Sequence, residues 1–452
     1  MRHVLALSLS ILCGVLALGT PTARAATDPA APPALTPAHA KTAFAEAQRL
    51  CQADHGALWG VSLCGPLMFV DPRSHHVVAN RADAEGKLRA DEGVFVGALP
   101  PDTPVANTAL AWAGVHWSQI LWPLPANPRR RHVLLMHESY HRVQDRVVPT
   151  QNESPNAQLD TLQGRYTMQL EWRALAAALA AHGDAERRMH VVDALAFRAA
   201  RYRDFPGARK TEVGLERNEG LAEYTGIMLG AGNESSRIAA AQHDLVARVG
   251  DTSFVRSFAY ATGPAYGLLL DRYRPGWRGQ LGGGQGLAGL LAATLHLDLA
   301  TLPVDDLQAR AARYHGVALL AAETTRKVEH DRAVAAYRAA LVDGPVLVLP
   351  LEHMQVQFNP TTLVPLGAAG TVYPTVHVTD DWGSIEVAQG GLLAPDWKRL
   401  TVVAPTAQPD ATRTITGKGW TLHLASGWQL APGPRVGDFV LRAAKSEPSD
   451  QP

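Results

Sequence analysis

The five residues His137-Glu138-Ser139-Tyr140-His141 form an H-E-x-x-H motif, and their spacing predicts both a helix and a metal site. On a helix, residues four positions apart lie on the same face, so His137 and His141 can direct two imidazole nitrogens at one zinc ion. Glu138 lies beside the first histidine. Its carboxylate can take a proton from a zinc-activated water and pass it to a leaving amine. The motif therefore predicts a hydrolytic zinc centre in which Glu138 is the general base.

The flanking sequence supports a helix at this place. Asn127 followed by Pro128 is a typical helix start, because Asn caps the free N–H groups and proline at the first helical position loses no hydrogen bond. Residues 147–149, Val-Val-Pro, end it. Upstream, residues 115–122 are rich in β-branched and aromatic side chains and predict a strand. A strand that leads into a zinc-binding helix resembles the arrangement of zincins.

A catalytic zinc ion needs a third protein ligand, and the segment Asn218-Glu219-Gly220-Leu221-Ala222-Glu223-Tyr224 offers one. Glu219 and Glu223 are four residues apart and share a helix face. One carboxylate can bind zinc while the other accepts a hydrogen bond from the far nitrogen of a zinc-binding histidine. We expect Gly220 to allow this helix to approach the motif helix closely.

Together, the H-E-x-x-H motif and the N-E-G-L-A-E-Y string resemble the gluzincin clan of zinc metallopeptidases. The string is similar to the one that supplies the glutamate ligand in the membrane alanyl-aminopeptidase family, and the Glu219–Glu223 spacing resembles that of thermolysin-type enzymes. The resemblance implies that His137, His141 and Glu219 bind one zinc ion and that Glu223 supports a histidine ligand. The chain has no G-x-M-E-N motif upstream, so the resemblance does not extend to aminopeptidase specificity.

Glu171 is an alternative third ligand. It lies in the segment Leu170-Glu171-Trp172-Arg173, on a predicted helix that is closer to the motif in sequence than Glu219 is. The other interpretation of Glu171 is a buried ion pair, for which Arg173 is the nearest candidate.

A tetrahedral intermediate also needs a hydrogen-bond donor for its negative oxygen. The segment Tyr260-Ala261-Thr262-Gly263 resembles the Y-x-K-G element of the aminopeptidase family, with Thr262 in place of lysine. The resemblance implies this catalytic role for Tyr260. Tyr266, Tyr140 and His116 are the alternatives.

Composition and the N-terminal segment indicate where the protein acts. Lys+Arg and Asp+Glu both number 42, which gives no indication of a nucleic-acid partner. Residues 1–25 have the pattern of a signal peptide with an Ala23-Arg24-Ala25 cleavage site, and residues 26–38 an Ala/Pro-rich disordered leader. The mature chain has no further apolar stretch of membrane-spanning length. We expect a periplasmic or secreted protein in which Cys51 and Cys64 form a disulfide.

The order of predicted elements indicates an α+β protein. Strands are predicted before the motif helix, at residues 58–61, 67–70, 76–78, 93–96 and 115–122, after a short helix at residues 40–51. Helices follow the motif, at residues 158–181, 185–202, 216–229 and 317–341, with others after Gly263, Gly286 and Thr301. We therefore expect a zincin-like metallopeptidase domain at residues 39–343, with an N-terminal mixed sheet and a mostly helical C-terminal part. Short alternating runs predict a small all-β, sandwich-like domain at residues 344–445.

These observations predict an exported zinc metallopeptidase that acts on a peptide or protein substrate. Two alternatives remain: a zinc hydrolase of a non-peptide amide or ester, and a non-catalytic binding protein with a structural zinc. The general base favours catalysis, because a structural site has no use for Glu138. The sequence does not indicate an oligomeric state.

Overall fold

The computed structural model of the 452-residue chain describes residues 33–100, 103–149, 156–358, 362–406 and 413–444. The predicted signal peptide lies outside this part of the chain, as does the predicted leader up to residue 32. The end of the predicted leader is helical, since the first helix begins at Pro37 and Thr36 caps it. Among the described helices, none combines the length and the apolar character needed to cross a membrane.

The N-terminal region is a six-stranded mixed sheet, as predicted. The strands are β1 Leu67–Val70, β2 His76–Ala79, β3 Arg89–Asp91, β4 Val94–Ala98, β5 Thr108–Trp112 and β6 Val115–Leu121. Their order is β3-β4-β2-β1-β6-β5, with β1 and β6 parallel and the other neighbouring pairs antiparallel. One prediction is wrong: residues 58–61 form turns, in which the Leu58 N–H donates to the Asp54 side chain.

Helix α1, Pro37–Asp54, and helix α2, Pro128–His141, cover one face of this sheet. The apolar side chains of α2 that enter the shared core are Leu135 and Met136, which are fully buried. Cys51, in the last turn of α1, lies at disulfide distance from Cys64, with a Cα–Cα separation of 5.2 Å. The predicted pairing of these two cysteines is therefore confirmed.

The region after α2 is mostly helical, as predicted. Its helices are α3 Gln144–Val147, α4 Leu162–Ala180, α5 Asp184–Asp204, α6 Ala208–Leu215, α7 Leu221–Gly230, α8 Glu234–Ala247, α9 Phe258–Tyr273, α10 Leu287–Thr294, α11 Leu307–Ala312 and α12 Gly316–Arg338. Short 3₁₀ segments lie at Ala157–Asp160, Arg248–Gly250 and Trp277–Gly283. Helix α9 begins before Gly263 rather than after it, and Pro264 lies inside this helix.

Two segments of the helical region are π-helical. The first, Glu216–Gly220, joins α6 directly to α7 and is called the π turn below. The second, Ala339–Asp343, follows α12. The predicted helix at residues 216–229 therefore consists of the π turn followed by α7.

The C-terminal region is all-β and sandwich-like, as predicted. A seven-stranded sheet has the order β17-β18-β7-β14-β13-β10-β9, and a five-stranded sheet has the order β15-β16-β12-β11-β8. The strands are β7 Val346–Pro350, β8 Gln355–Phe358, β9 Val364–Pro365, β10 Thr371–Tyr373, β11 Val376–Asp380, β12 Gly383–Val387, β13 Gly391–Leu393, β14 Arg399–Val403, β15 Thr414–Gly417, β16 Trp420–Leu424, β17 Trp428–Pro432 and β18 Phe439–Ala443. Side chains from both sheets, including Leu349 and Trp382, form one apolar core.

Candidate metal centre

Helix α2 carries the H-E-x-x-H motif in the way the sequence predicts. The Asn127 side chain accepts a hydrogen bond from the Arg130 N–H, and Pro128 occupies the first turn. His137 and Glu138 are buried and His141 is half-buried. Because Leu135 and Met136 hold the helix against the sheet, the two histidines lie on a different face, towards α7.

Helix α7 approaches α2 through two glycines. A Cβ added at Gly226 would lie 2.6 Å from the carbonyl oxygen of Val133, and one at Gly230 would lie 2.6 Å from the carbonyl carbon of His132. Only glycine allows backbones to approach this closely. The prediction that Gly220 has this role is wrong: Gly220 faces Gly263 of α9, so its close contact is with a different helix.

Three potential metal ligands meet between α2 and the π turn. His137 Nε2 and His141 Nε2 are 3.1 Å apart, and each lies 3.6 Å from Glu219 Oε2. Ligands at zinc-bond lengths around a tetrahedral ion are separated by about 3.3 Å. His137, His141 and Glu219, called the metal group below, therefore fit an ion of this size. Among the described residues, one other group could hold a metal, the more exposed His353, Asp380 and Asp381 of the sandwich.

Both histidines are oriented by hydrogen bonds at their other ring nitrogen. His137 Nδ1 lies 2.7 Å from Glu223 Oε2, which matches the sequence expectation for Glu223. His141 Nδ1 lies 2.9 Å from Gln144 Oε1. With Nδ1 donating, each Nε2 keeps its lone pair for a metal. Gln144 was not predicted, although its position three residues after His141 was a usable signal.

The charges of the metal group are balanced by ion pairing between its members and with Glu223. Burial alone would lower the pKa of His137, but hydrogen bonds with Glu219 and Glu223 raise it to about 10. Burial acts to raise the pKa of Glu219, but the two histidines hold it well below its usual range. The group therefore pairs a cationic imidazole with carboxylates, and a metal ion would replace the proton as the positive charge.

Glu138 has a buried carboxylate oxygen, Oε2, without a hydrogen-bond partner among the described residues. Its Oε1 lies 4.0 Å from His137 Nε2. Burial raises the pKa of Glu138, which makes this carboxylate a better proton acceptor.

Two residues at the N-terminal end of α9 contact Glu219: Tyr260 in its first turn and Arg256 in the turn that precedes the helix. The Tyr260 ring stacks on His137 with centroids 5.6 Å apart, and its hydroxyl donates to Glu219 Oε2 at 2.6 Å. Arg256 Nη2 donates to Glu219 Oε1 at 2.9 Å. Arg256 was not predicted, because only the tertiary structure brings it within reach.

The alternatives to Tyr260 lie in different places. His116 lines the same cavity as the metal group. The Tyr266 hydroxyl donates to Glu171, away from the metal group. The buried Tyr140 hydroxyl makes no hydrogen bond to any residue in the described part of the chain.

The structure does not bring Glu171 into the metal group. Its Oε1 accepts hydrogen bonds from Arg198 and Tyr266, and its Oε2 accepts one from Arg201. Arg173, the expected partner, instead donates to the Tyr314 carbonyl. The five charged residues linked in this way are fully buried and are called the buried ion cluster below: Glu171, Arg198, Arg201, Glu212 and Glu216.

The metal group opens onto a cavity of about 1000 Å³. Its walls include α2, α8 and the start of β5, the last strand in the order of the mixed sheet. On the α8 wall, burial and the nearby Glu223 raise the pKa of Asp244 to about 7. Asp244 was not predicted, since no local pattern marks it.

The structure thus assembles His137, Glu138, His141, Glu219, Glu223 and Tyr260 at one wall of a cavity and places Glu171 elsewhere. Comparisons with protein families, with curated proteins and with solved structures found no match for this chain. The site is a buried His/Glu group that could bind a metal ion.

Proposed function

We propose that this chain is an exported, zinc-dependent metallopeptidase of the gluzincin type, with a zincin-like domain that binds one zinc ion. The observation that supports this most is the spacing of the metal group, 3.1–3.6 Å between ligand atoms, beside a buried carboxylate with a free oxygen. The ligand set of two histidines and one glutamate is one that catalytic zinc uses. His137, His141 and Glu219 would hold the ion.

A bound zinc ion would supply Lewis-acid chemistry, polarising a substrate carbonyl and lowering the pKa of water. Glu138 acts as the general base in this proposal. Its Oε2 accepts the proton of the attacking water and returns it to the leaving nitrogen of the peptide. The raised pKa of Glu138 suits both steps, because a carboxyl that titrates closer to neutral pH both takes and gives a proton readily.

Tyr260 is the proposed donor to the negatively charged oxygen of the tetrahedral intermediate. Burial, together with the charge of Glu219, raises the pKa of Tyr260, so its hydroxyl stays protonated at neutral pH. The hydroxyl lies 2.6 Å from a ligand oxygen of the metal group and faces the cavity. A donor at this place stabilises charge that develops next to the metal position.

The position of β5 favours a peptide over a small ester or amide. Thr108 and Ala109 of this edge strand line the cavity. An edge strand can pair through its backbone with an extended peptide, which provides affinity independent of side chains. A compact non-peptide substrate would make no use of this wall.

A structural zinc fits the site less well. Structural zinc sites are closed by four protein ligands, whereas the metal group has three and opens onto a large cavity. A structural site would also have no use for the buried, unpaired oxygen of Glu138 beside the metal group.

The test compares the mature protein with Glu138→Ala and with the control Ser139→Ala. The Ser139 hydroxyl bonds only to Leu135 of its own helix among the described residues, so its loss should be harmless. We expect one zinc per chain in all three proteins, and cleavage of a peptide library by the wild type and the control alone. Zinc without any hydrolysis would favour a binding protein, and hydrolysis of nitrophenyl esters without peptide cleavage would favour the second enzyme class.

Export is the part of the proposal that the Cys51–Cys64 pair supports, since disulfides persist in oxidising compartments. N-terminal sequencing of protein from the periplasm or medium should begin at Ala26. Thiol titration of the denatured, unreduced protein should find no free cysteine. A product that retains residues 1–25 in the cytoplasm, with two free thiols, would contradict export.

A further inference from the structure

The π turn is an unusual element at a decisive place. Its hydrogen bonds run from one residue to the fifth before it, as from the Leu221 N–H to the Glu216 carbonyl. Such turns are rare because the wider ring packs less well than an α-helix, and they occur frequently at functional sites. This one contains Glu219, the third member of the metal group. A less stable turn needs support from its surroundings if its side chains are to be fixed.

The wider turn separates two carboxylates that an α-helix would place on one face. In an α-helix, residues three positions apart are neighbours. Here Glu216 is fully buried and points into the buried ion cluster, whereas Glu219 points to the metal group. The extra residue of the turn therefore lets one short segment serve two different groups.

Glu216 is held by three charge-assisted or buried hydrogen bonds. Arg198 donates through Nη1 to Oε2 at 2.8 Å and through Nη2 to Oε1 at 2.5 Å. Thr262 of α9 donates through Oγ1 to Oε1 at 2.6 Å. A bidentate arginine fixes both the position and the plane of a carboxylate.

The opposite side of the π turn rests on α9. A Cβ at Gly220 would lie 3.1 Å from the Cα of Gly263, so the two backbones touch. From the same helix, Tyr260 reaches Glu219 and Thr262 reaches Glu216, and Arg256 in the preceding turn also reaches Glu219. The turn is thus held by α5 through Arg198 and by α9 through direct contact.

We propose that Arg198, Glu216 and Thr262 are positioning residues for the metal site: they lock the π turn and so fix the direction of the Glu219 carboxylate. This inference rests on the proposed zinc function. The buried ion cluster extends the lock, because Arg198 also binds Glu171 of α4, and Arg201 joins Glu171 to Glu212 of α6. In the described part of the chain, none of the three positioning residues hydrogen-bonds to the metal group, so they act through the backbone of the turn.

The test compares Glu216→Gln with Glu212→Gln. Both carboxylates are fully buried, both accept two bonds from one arginine and a third from a neutral side chain, but Glu212 lies in α6, outside the π turn. Both changes should lower the melting temperature to a similar extent. Zinc affinity, measured by chelator competition, should fall about 10- to 100-fold in Glu216→Gln and less than about threefold in Glu212→Gln. Hydrogen exchange of the peptide covering residues 216–220 should quicken more in Glu216→Gln.

The outcomes separate this inference from the proposed function. A wild type that binds no zinc would refute both. A wild type that binds zinc, with equal affinity losses in the two variants or none in Glu216→Gln, would refute the positioning role alone.

A second pair of variants, in which uncharged threonines are replaced by valine, tests the proposal if Glu216→Gln does not fold. Thr262→Val removes one hydrogen bond to Glu216. Thr167→Val removes a buried hydroxyl that, among the described residues, bonds only to carbonyls of its own helix. We expect zinc affinity to fall about two- to tenfold in the first variant and to stay unchanged in the second. Unchanged affinity in both would overturn the proposal.

Discussion

Both the metal group and the buried ion cluster consist of charged side chains removed from water, but they balance their charges differently. In the buried ion cluster each glutamate either pairs with one arginine through both carboxylate oxygens or pairs with two arginines. None of these side chains is exposed. In the metal centre the carboxylates face imidazoles, one oxygen of Glu138 stays unsatisfied, and a cavity adjoins. Buried glutamates therefore do not identify a metal ligand by themselves. What sets the metal group apart is that the Glu219 carboxylate meets two imidazole nitrogens beside a cavity.

The largest expected effect is the loss of zinc binding when a histidine of the metal group is replaced. His137→Ala or His141→Ala should abolish zinc binding, because two remaining ligands do not form a stable site. The matched control is His243→Ala, since His243 lines the same cavity but bonds Arg130 rather than the metal group. Zinc content of the purified proteins is measured by mass spectrometry. Stoichiometric zinc in both ligand variants would remove the metal group from consideration.

The next prediction compares Glu171 with Glu219, the two candidates for the third zinc ligand. Glu171→Gln should leave zinc bound and destabilise the protein by about 3–5 kcal/mol, because it leaves two buried arginines short of a counter-charge. Glu219→Gln should weaken zinc strongly, and it should also destabilise the metal-free protein because it removes the carboxylate that pairs with His137. Urea unfolding and zinc titration of both variants provide the measurement. The reverse pattern would transfer the ligand role to Glu171.

A smaller effect is expected one contact away from the metal group. Glu223→Gln removes the charged acceptor of His137 Nδ1 but can keep a hydrogen bond through its amide oxygen. Zinc affinity or activity should fall about 10- to 100-fold, as is usual for such partners. If instead zinc is lost completely, Glu223 is itself a ligand and the centre needs revision.

The smallest expected effect concerns Asp244 and the pH dependence of the free energy of unfolding. Burial and Glu223 outweigh Arg248 and Arg130 and raise the pKa of Asp244 to about 7 in the folded state. The folded protein therefore binds this proton more tightly than the unfolded chain, so stability falls as pH rises from about 4 to 7. In the metal-free protein, Asp244→Asn should gain about 1–2 kcal/mol at pH 8 and almost nothing at pH 4, since solvent in the cavity moderates the shift. Urea titrations at both pH values provide the measurement. An equal gain in stability at pH 4 and pH 8 would contradict this account.

Much of the fold follows from local patterns, and the exceptions have identifiable causes. Strands β1, β2, β4 and β6 contain β-branched or aromatic residues that the pattern detects. Strand β5 is rich in alanine and was missed, because its pairing with β6 depends on the turn at Ala113-Gly114, where both residues have positive φ. The start of α9 was placed too late because Gly263-Pro264 reads as a helix break.

The candidate site could be predicted as far as its motifs reach. A spacing of four residues was sufficient to predict that the two histidines share a helix face, and that Glu219 and Glu223 do so as well. Two residues that complete the centre come from distant segments: Arg256 from the turn before α9 and Asp244 from α8. The error at Gly220 has the same origin, since a glycine signals close contact without indicating which helix it contacts.

The long helical segment between His137 and Glu223 has a consequence for biosynthesis. His137 and its partner Glu223 are 86 residues apart in the chain, with α4, α5 and α6 between them. Bringing them together requires closure of a long loop, which the packing of these helices must offset. A nascent chain synthesised only as far as α5 carries both histidines but no third ligand. The metal group can therefore form only after α4, α5 and α6 have been synthesised, and an unfinished chain that ends before Glu219 lacks the complete set of potential ligands.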